Sequence, residues 1–86
     1  MYQLVLSRKV EKFLAEIQKT NSKLFGQFMQ GFENISSDPA CAKALLGNLK
    51  GYYSYRVRDY RIVFDIDNQR LIVHIEKIEH RKNVYK

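Results

Sequence analysis

No disulfide can form within this chain, because Cys41 is its only cysteine. That excludes the disulfide-stapled scaffolds of small secreted proteins and fits a reducing compartment, the cytoplasm. Cys41 lies in an alanine-rich stretch and reads as a small packing residue. The two histidines and the cysteine are scattered and give no metal-ligand spacing. No apolar run approaches the length of a membrane span, so no membrane partner is expected. The N-terminus lacks a charged stretch followed by an apolar core, so no signal peptide is expected. Repeats and low-complexity segments are missing as well. At 86 residues the chain makes a single small domain, 1–86, with a modest core.

Positive charge, by contrast, is in excess, and it is uneven. The formal net charge is +6. Residues 1–46 contribute +2 of it and residues 47–86 contribute +4. Five of the six arginines and five of the six tyrosines fall in that second part. Basic residues interleaved with aromatics point to a nucleic-acid surface, although a basic excess by itself is weak evidence.

The second part also carries the clearest structural signal. Tyr52–Arg58, Tyr60–Asp67 and Leu71–Ile78 alternate with period two, as antiparallel strands with one buried face do. A turn at Arg58-Asp59 sets Val57 opposite Tyr60, Tyr55 opposite Ile62 and Tyr53 opposite Phe64. A turn at Asn68-Gln69 sets Ile66 opposite Leu71, Phe64 opposite Val73 and Ile62 opposite Ile75. This register gathers the large apolar side chains on one face, and a slip by one residue would expose them all. On the other face it sets Arg56 opposite Arg61. Like charges so placed are destabilising by a few tenths to about 1 kcal/mol. An anion held between the two guanidinium groups would remove the repulsion, and arginine suits phosphate through its planar, permanently charged fork. The plainer reading is that Glu76, opposite Arg61 on the third strand, neutralises it as an ordinary surface pair.

Before these strands, Tyr2–Leu6 reads as a short apolar strand whose place in the sheet is not legible. Ser7 can cap a helix in which Val10, Phe13, Leu14 and Ile17 form one face. Asn21 or Ser22 can cap a second helix with the stripe Leu24, Phe25, Phe28, Met29, Phe32 and Ile35. Gly26 and Gly31 cost this helix about 1 kcal/mol each against alanine, which a close helix–sheet approach would explain. Asp38-Pro39 ends it, and Ala40–Leu46 is expected to form a turn of helix. The fold class is therefore α+β: a strand, an αα-hairpin, then a three-stranded antiparallel meander. The helices cover one face of the sheet. The other, basic face stays open and bears Ser54, Arg56, Arg61, Val63, His74 and Glu76. Tyr53, Tyr55 and Tyr60 point to the helices. The basic, aromatic tail from His80 to Lys86 is short enough to fold back beside the Arg56–Arg61 pair.

This order of elements resembles the RelE/ParE superfamily of bacterial and archaeal toxins. So do Leu49-Lys50-Gly51, Tyr55-Arg56-Val57, Asp59-Tyr60-Arg61-Ile62-Val63 and His80-Arg81-x-x-Val84-Tyr85. The resemblance covers essentially the whole chain, and the two last motifs are fairly specific in combination. It implies the RelE-like branch: a toxin of a type II toxin–antitoxin system that cuts mRNA in the ribosomal A site and so inhibits translation. The implied reaction is attack by an RNA 2′-OH on the adjacent phosphate, with neither metal nor cofactor. The implied partners are a cognate antitoxin, the ribosome and mRNA, with operator DNA reached only through the antitoxin complex. ParE-like members share the fold, inhibit DNA gyrase and generally lack the nuclease residues. A non-catalytic basic RNA-binding module is the alternative from another class.

The resemblance also assigns roles to residues. Arg61 matches the arginine that stabilises charge on the scissile phosphate, and Arg81 the one proposed as acid to the leaving group. Tyr85 matches the tyrosine that orients or stacks on the substrate, and Arg56 a basic position that is often lysine. Lys50, Arg58 and Lys82 are expected to bind RNA. Two departures stand out. Ser54 stands where some members carry a second lysine implicated in base function, and Arg58 stands where relatives often have glycine. Arginine is a poor proton acceptor, so His80, whose ordinary pKa lies near working pH, is preferred to Glu76 as general base. His74 is read as structural.

Overall fold

The computed structural model describes residues 1–84, the last two by their backbone alone. Five strands form one sheet: β1 (Gln3–Leu6), β2 (Lys43–Ala44), β3 (Tyr53–Val57), β4 (Tyr60–Asp67) and β5 (Ile72–His80), in the order β1-β5-β4-β3-β2. Helices α1 (Arg8–Thr20) and α2 (Ser22–Ser37) lie on one face, and a short α3 (Arg81–Val84) follows β5. The α+β class is as the sequence implies. The meander is extended at both edges, by β1 running parallel to β5 and by the two-residue β2 beside β3. The segment expected as a helical turn instead makes a 3-10 turn at Pro39–Cys41 and then β2. The Asp38 side chain accepts the Ala40 N–H at 3.2 Å, and Pro39 supplies the fixed φ of the first position. Cys41, at the end of that turn, is exposed. Partial desolvation of its sulfur, and then the Asp38 carboxylate, push its thiol pKa upward.

Polar side chains set the helix ends. Ser7 caps α1 by accepting the Val10 N–H at 3.2 Å. Asn21 closes α1 and opens α2: its N–H reaches the Ile17 carbonyl at 2.8 Å, and its Oδ1 accepts the Leu24 N–H at 3.1 Å. Between these caps the apolar stripes turn inward. Val10, Leu14, Phe28, Phe32 and Ile35 are buried against Val57, Ile62, Phe64, Val73 and Ile75. Gly31 has the packing reason foreseen for it. A Cβ there would meet Tyr55 and Val57 at 3.1 Å. Gly26 has none, since a Cβ there would meet open space.

The β3–β4 register is as read from the sequence, with Arg56 opposite Arg61. The β4–β5 register is not. Ile66 pairs with Val73 and Phe64 with Ile75. The connection is longer than the expected Asn68-Gln69 turn because Asp67 Oδ1 accepts the N–H groups of both Gln69 and Arg70 at 3.1 Å. A β-bulge between Val63 and Phe64 then shifts the pairing again, so that Ile62 faces Ile78 and Arg61 faces Glu79. Glu76 is the extra residue on β5. Its carbonyl accepts the Ser7 hydroxyl at 2.8 Å. The bulge brings both Ile75 and Ile78 to the helix side, which strict alternation could not do. Two expectations fall with the longer turn and the bulge together. Glu76 does not face Arg61, and His74 faces Asp65, not Val63, with Nδ1 2.9 Å from Oδ1. Nor is the open face bare at its centre. Val63 and Ser54 are buried there, flanked in register by Lys77 and Lys43, whose methylene stems are long enough to cover them.

Candidate active site

Arg56 is exposed and Arg61 half-buried, side by side on the face away from the helices. Among the described residues no carboxylate oxygen comes within 4.0 Å of either guanidinium. Glu79, across from Arg61, is drawn instead to Lys77 at 3.1 Å. The Arg61 Nε–H is buried without a hydrogen-bond partner. Two guanidinium groups are thus held together in register, one of them partly desolvated, and neither is neutralised by this chain's described carboxylates. Charge-assisted hydrogen bonds from such groups to a phosphate gain more than bonds from fully hydrated ones.

Arg81 joins them at the same end of the sheet. Its backbone N–H donates to the Asp59 carbonyl at 2.6 Å, which ties the start of α3 to the β3–β4 turn. Its guanidinium, 3.9 Å from the Asp59 carboxylate, is well exposed, so that contact is weak. Lys82 is exposed one residue further on.

His80 is set apart from this group. It pairs with Tyr60, and the two rings pack edge to face at 4.9 Å. Tyr60 also packs on Phe13 and Phe28, with centroids 5.6 and 5.5 Å away, so His80 lies on the helix side of the sheet. Its Nδ1 accepts the Lys82 N–H at 3.2 Å. The bulge is the physical reason, because it inverts the alternation of β5 beyond Glu76. Lys50 is also separated from the arginines. It follows the 3-10 turn Gly47–Leu49, off the N-terminal end of β3, whereas Arg56 lies near the strand's other end. Tyr85 lies outside the described residues. Glu79 was missed because the unbulged register put Glu76 in its place. The spacing of three between Ile75 and Ile78 was the available signal.

Arg58 occupies the β3–β4 turn with φ at +56°, a left-handed conformation that costs a side-chain-bearing residue about 1 kcal/mol. It lines a cleft of about 360 Å³ between the start of α2 and the β3–β4 turn. Lys23 and Gln27, which sequence reasoning did not single out, line the same cleft. Among the described residues no three His, Cys, Asp or Glu side chains converge as metal ligands. No helix among them is long and apolar enough to cross a membrane.

The same architecture recurs in solved toxin–antitoxin structures. A chain of the RelBE2 toxin–antitoxin complex from Mycobacterium tuberculosis superimposes with a TM-score of 0.79 at 23% identity, over 93% of this chain and 98% of that one. The YoeB/ParE toxin from Agrobacterium tumefaciens gives 0.80 at 17% identity, over 91% and 96%. A chain of the archaeal RelE–RelB complex from Pyrococcus horikoshii OT3 gives 0.76 at 20% identity, over 93% and 94%. These likenesses establish a shared fold. No curated protein sequence matches the chain significantly. The family follows from the sequence itself. Residues 4–85 match the model of the ParE toxin of type II toxin-antitoxin systems, parDE, and the chain belongs to that family.

Proposed function

We propose that this toxin acts as a RelE-like endoribonuclease, cutting mRNA on the ribosome and so inhibiting translation. The observation that carries the reading is the Arg56–Arg61 pair, opposed in register and with no counter-ion among the described residues. In this reading the scissile phosphate sits between the two guanidinium groups. The RNA 2′-oxygen forms a bond to phosphorus as the bond to the 5′-oxygen breaks. Fixed cations aimed at the phosphoryl oxygens stabilise the charge that develops, commonly the largest catalytic term. Arg81, free to swing from its exposed position, stabilises charge on the departing 5′-oxygen, which takes its proton from water, and Tyr85 stacks on the substrate. Glu79, in register with Arg61, replaces His80 as the group that accepts the 2′ proton, because geometry comes before pKa in choosing a base. Arg58 and Lys82 hold neighbouring phosphates.

A cognate antitoxin is the expected partner, since structural neighbours such as RelBE2 and the archaeal RelE–RelB pair are toxin–antitoxin complexes. Acidic antitoxin side chains would mask the arginines by complementary charge. Operator DNA is reached only through that complex, and the site of action is the cytoplasm, where ribosomes meet messages. In cells, induced expression is expected to stop growth, and Arg61→Ala or Arg81→Ala to restore it while the variants remain folded by circular dichroism. Undiminished toxicity of the double variant rejects the mechanism. The family match itself favours a second reading, a gyrase inhibitor. That reading predicts inhibition of DNA supercoiling by purified gyrase and intact messages.

A further inference from the structure

Of the cleft beside Arg58 the mechanism above uses only Arg58, and the rest of the lining is specific enough to assign. We infer that it is a nucleotide subsite: it takes one unpaired ribonucleotide flanking the cut, with its phosphate between Lys23 and Arg58 and its base against Tyr60 and His80. The inference rests on the reading of RNA as substrate. Its volume, about 360 Å³, is at the small end of the range for small-molecule sites, which suits one nucleotide and not a helix. Lys23 and Arg58 line it, and neither is paired with a carboxylate among the described residues. The remaining acidic group, Asp59, faces Arg81 at 3.9 Å. Tyr60 and His80, packed at 4.9 Å, offer aromatic surface to a base. Gln27 brings an amide that can donate to and accept from a base edge.

Arg58 supplies an independent argument. It keeps a left-handed backbone that glycine would adopt without strain, at the edge of the cleft that it lines. Strained residues that persist tend to mark functional positions. Position agrees with this. The β3–β4 turn carries the Arg56–Arg61 pair on the open side of the sheet and the cleft on the helix side. A strand held at Arg61 and crossing that turn would deliver its next nucleotide here.

The test is an amide NMR titration of the full chain with the four ribonucleoside 5′-monophosphates, with inorganic phosphate and a short acidic peptide as comparison probes. Saturable shifts are expected at Lys23, Gln27, Tyr60 and His80, with an affinity that depends on the base. Lys23→Gln and Arg58→Gly should each weaken binding at least fivefold. Arg58→Gly relaxes the turn, so it should melt no lower than the parent, and loss of binding cannot then be ascribed to unfolding. Shifts confined to Arg56, Arg61 and Arg81 would overturn the subsite. So would equal binding of inorganic phosphate, or tighter binding of the acidic peptide, which would mark an antitoxin contact. If nucleotides bind here while ribosomal messages stay intact, the nuclease reading fails and the cleft stands only as a nucleotide-binding site. If messages are cut but Arg58→Gly alters neither nucleotide binding nor codon preference, the subsite fails and the nuclease reading stands.

Discussion

Arg61 combines two local penalties, a like charge across the ladder and a buried Nε–H with no acceptor. An unpaired buried donor costs more than a hydrogen bond gains. Neither penalty helps the free protein fold, so both should be relieved when the group is removed. Arg61→Met keeps the apolar stem and deletes the charge. It is expected to raise the free energy of urea unfolding by about 0.5–1 kcal/mol while lowering RNA cleavage roughly 10²- to 10³-fold. Loss of stability in that variant would mean that the guanidinium is a structural group. A gain in stability coupled to a loss of function is the behaviour expected where a site is held at the expense of the fold. The same logic predicts that phosphate ions stabilise the parent by binding the native state and do less for Arg61→Met. Thermal melts in phosphate and in an uncharged buffer would read the difference.

Elements differ in how well the sequence announces them, and the reasons are physical. The β3–β4 hairpin was legible because two alternating runs meet at a two-residue turn, which leaves one register that buries every apolar side chain. That register delivered the Arg56–Arg61 pair, the heart of the candidate site. The β4–β5 hairpin was misread because Asp67 widens the turn, which shifts the pairing by two residues, and Glu76 bulges, which carries His80 to the helix side. Ile75 and Ile78, three apart, did signal a break in period two. The four residues of β1 carry no register signal of their own. A parallel edge strand is fixed by what it packs on, and β2 is too short to announce itself. The glycines of α2 divide in the same way. Gly26→Ala, adding a Cβ in open space, is expected to stabilise by about 0.5–1 kcal/mol. Gly31→Ala drives a Cβ to 3.1 Å from Tyr55 and Val57 and is expected to cost about 1–3 kcal/mol. Chemical denaturation of both variants checks this, and equal effects would refute the close helix–sheet contact.

Across the whole molecule, one layer of helices seals one face of the sheet, and three arginines gather at one end of the sheet. Arg56, Arg61 and Arg81 come from three separate strands or strand ends, brought together by the β3–β4 turn and by the bond from Arg81 to Asp59. A fold shared with proteins below 25% identity does not decide what such a cluster does, because one scaffold hosts several activities. The decision rests on the chemistry of the cluster. The most direct measurement is primer extension on a defined message in a reconstituted translation reaction, with the parent chain and Arg61→Ala side by side. The account predicts discrete new 5′ ends within ribosome-occupied codons for the parent, and their loss for Arg61→Ala. Full-length message with the parent, or the same cuts with Arg61→Ala, would contradict it.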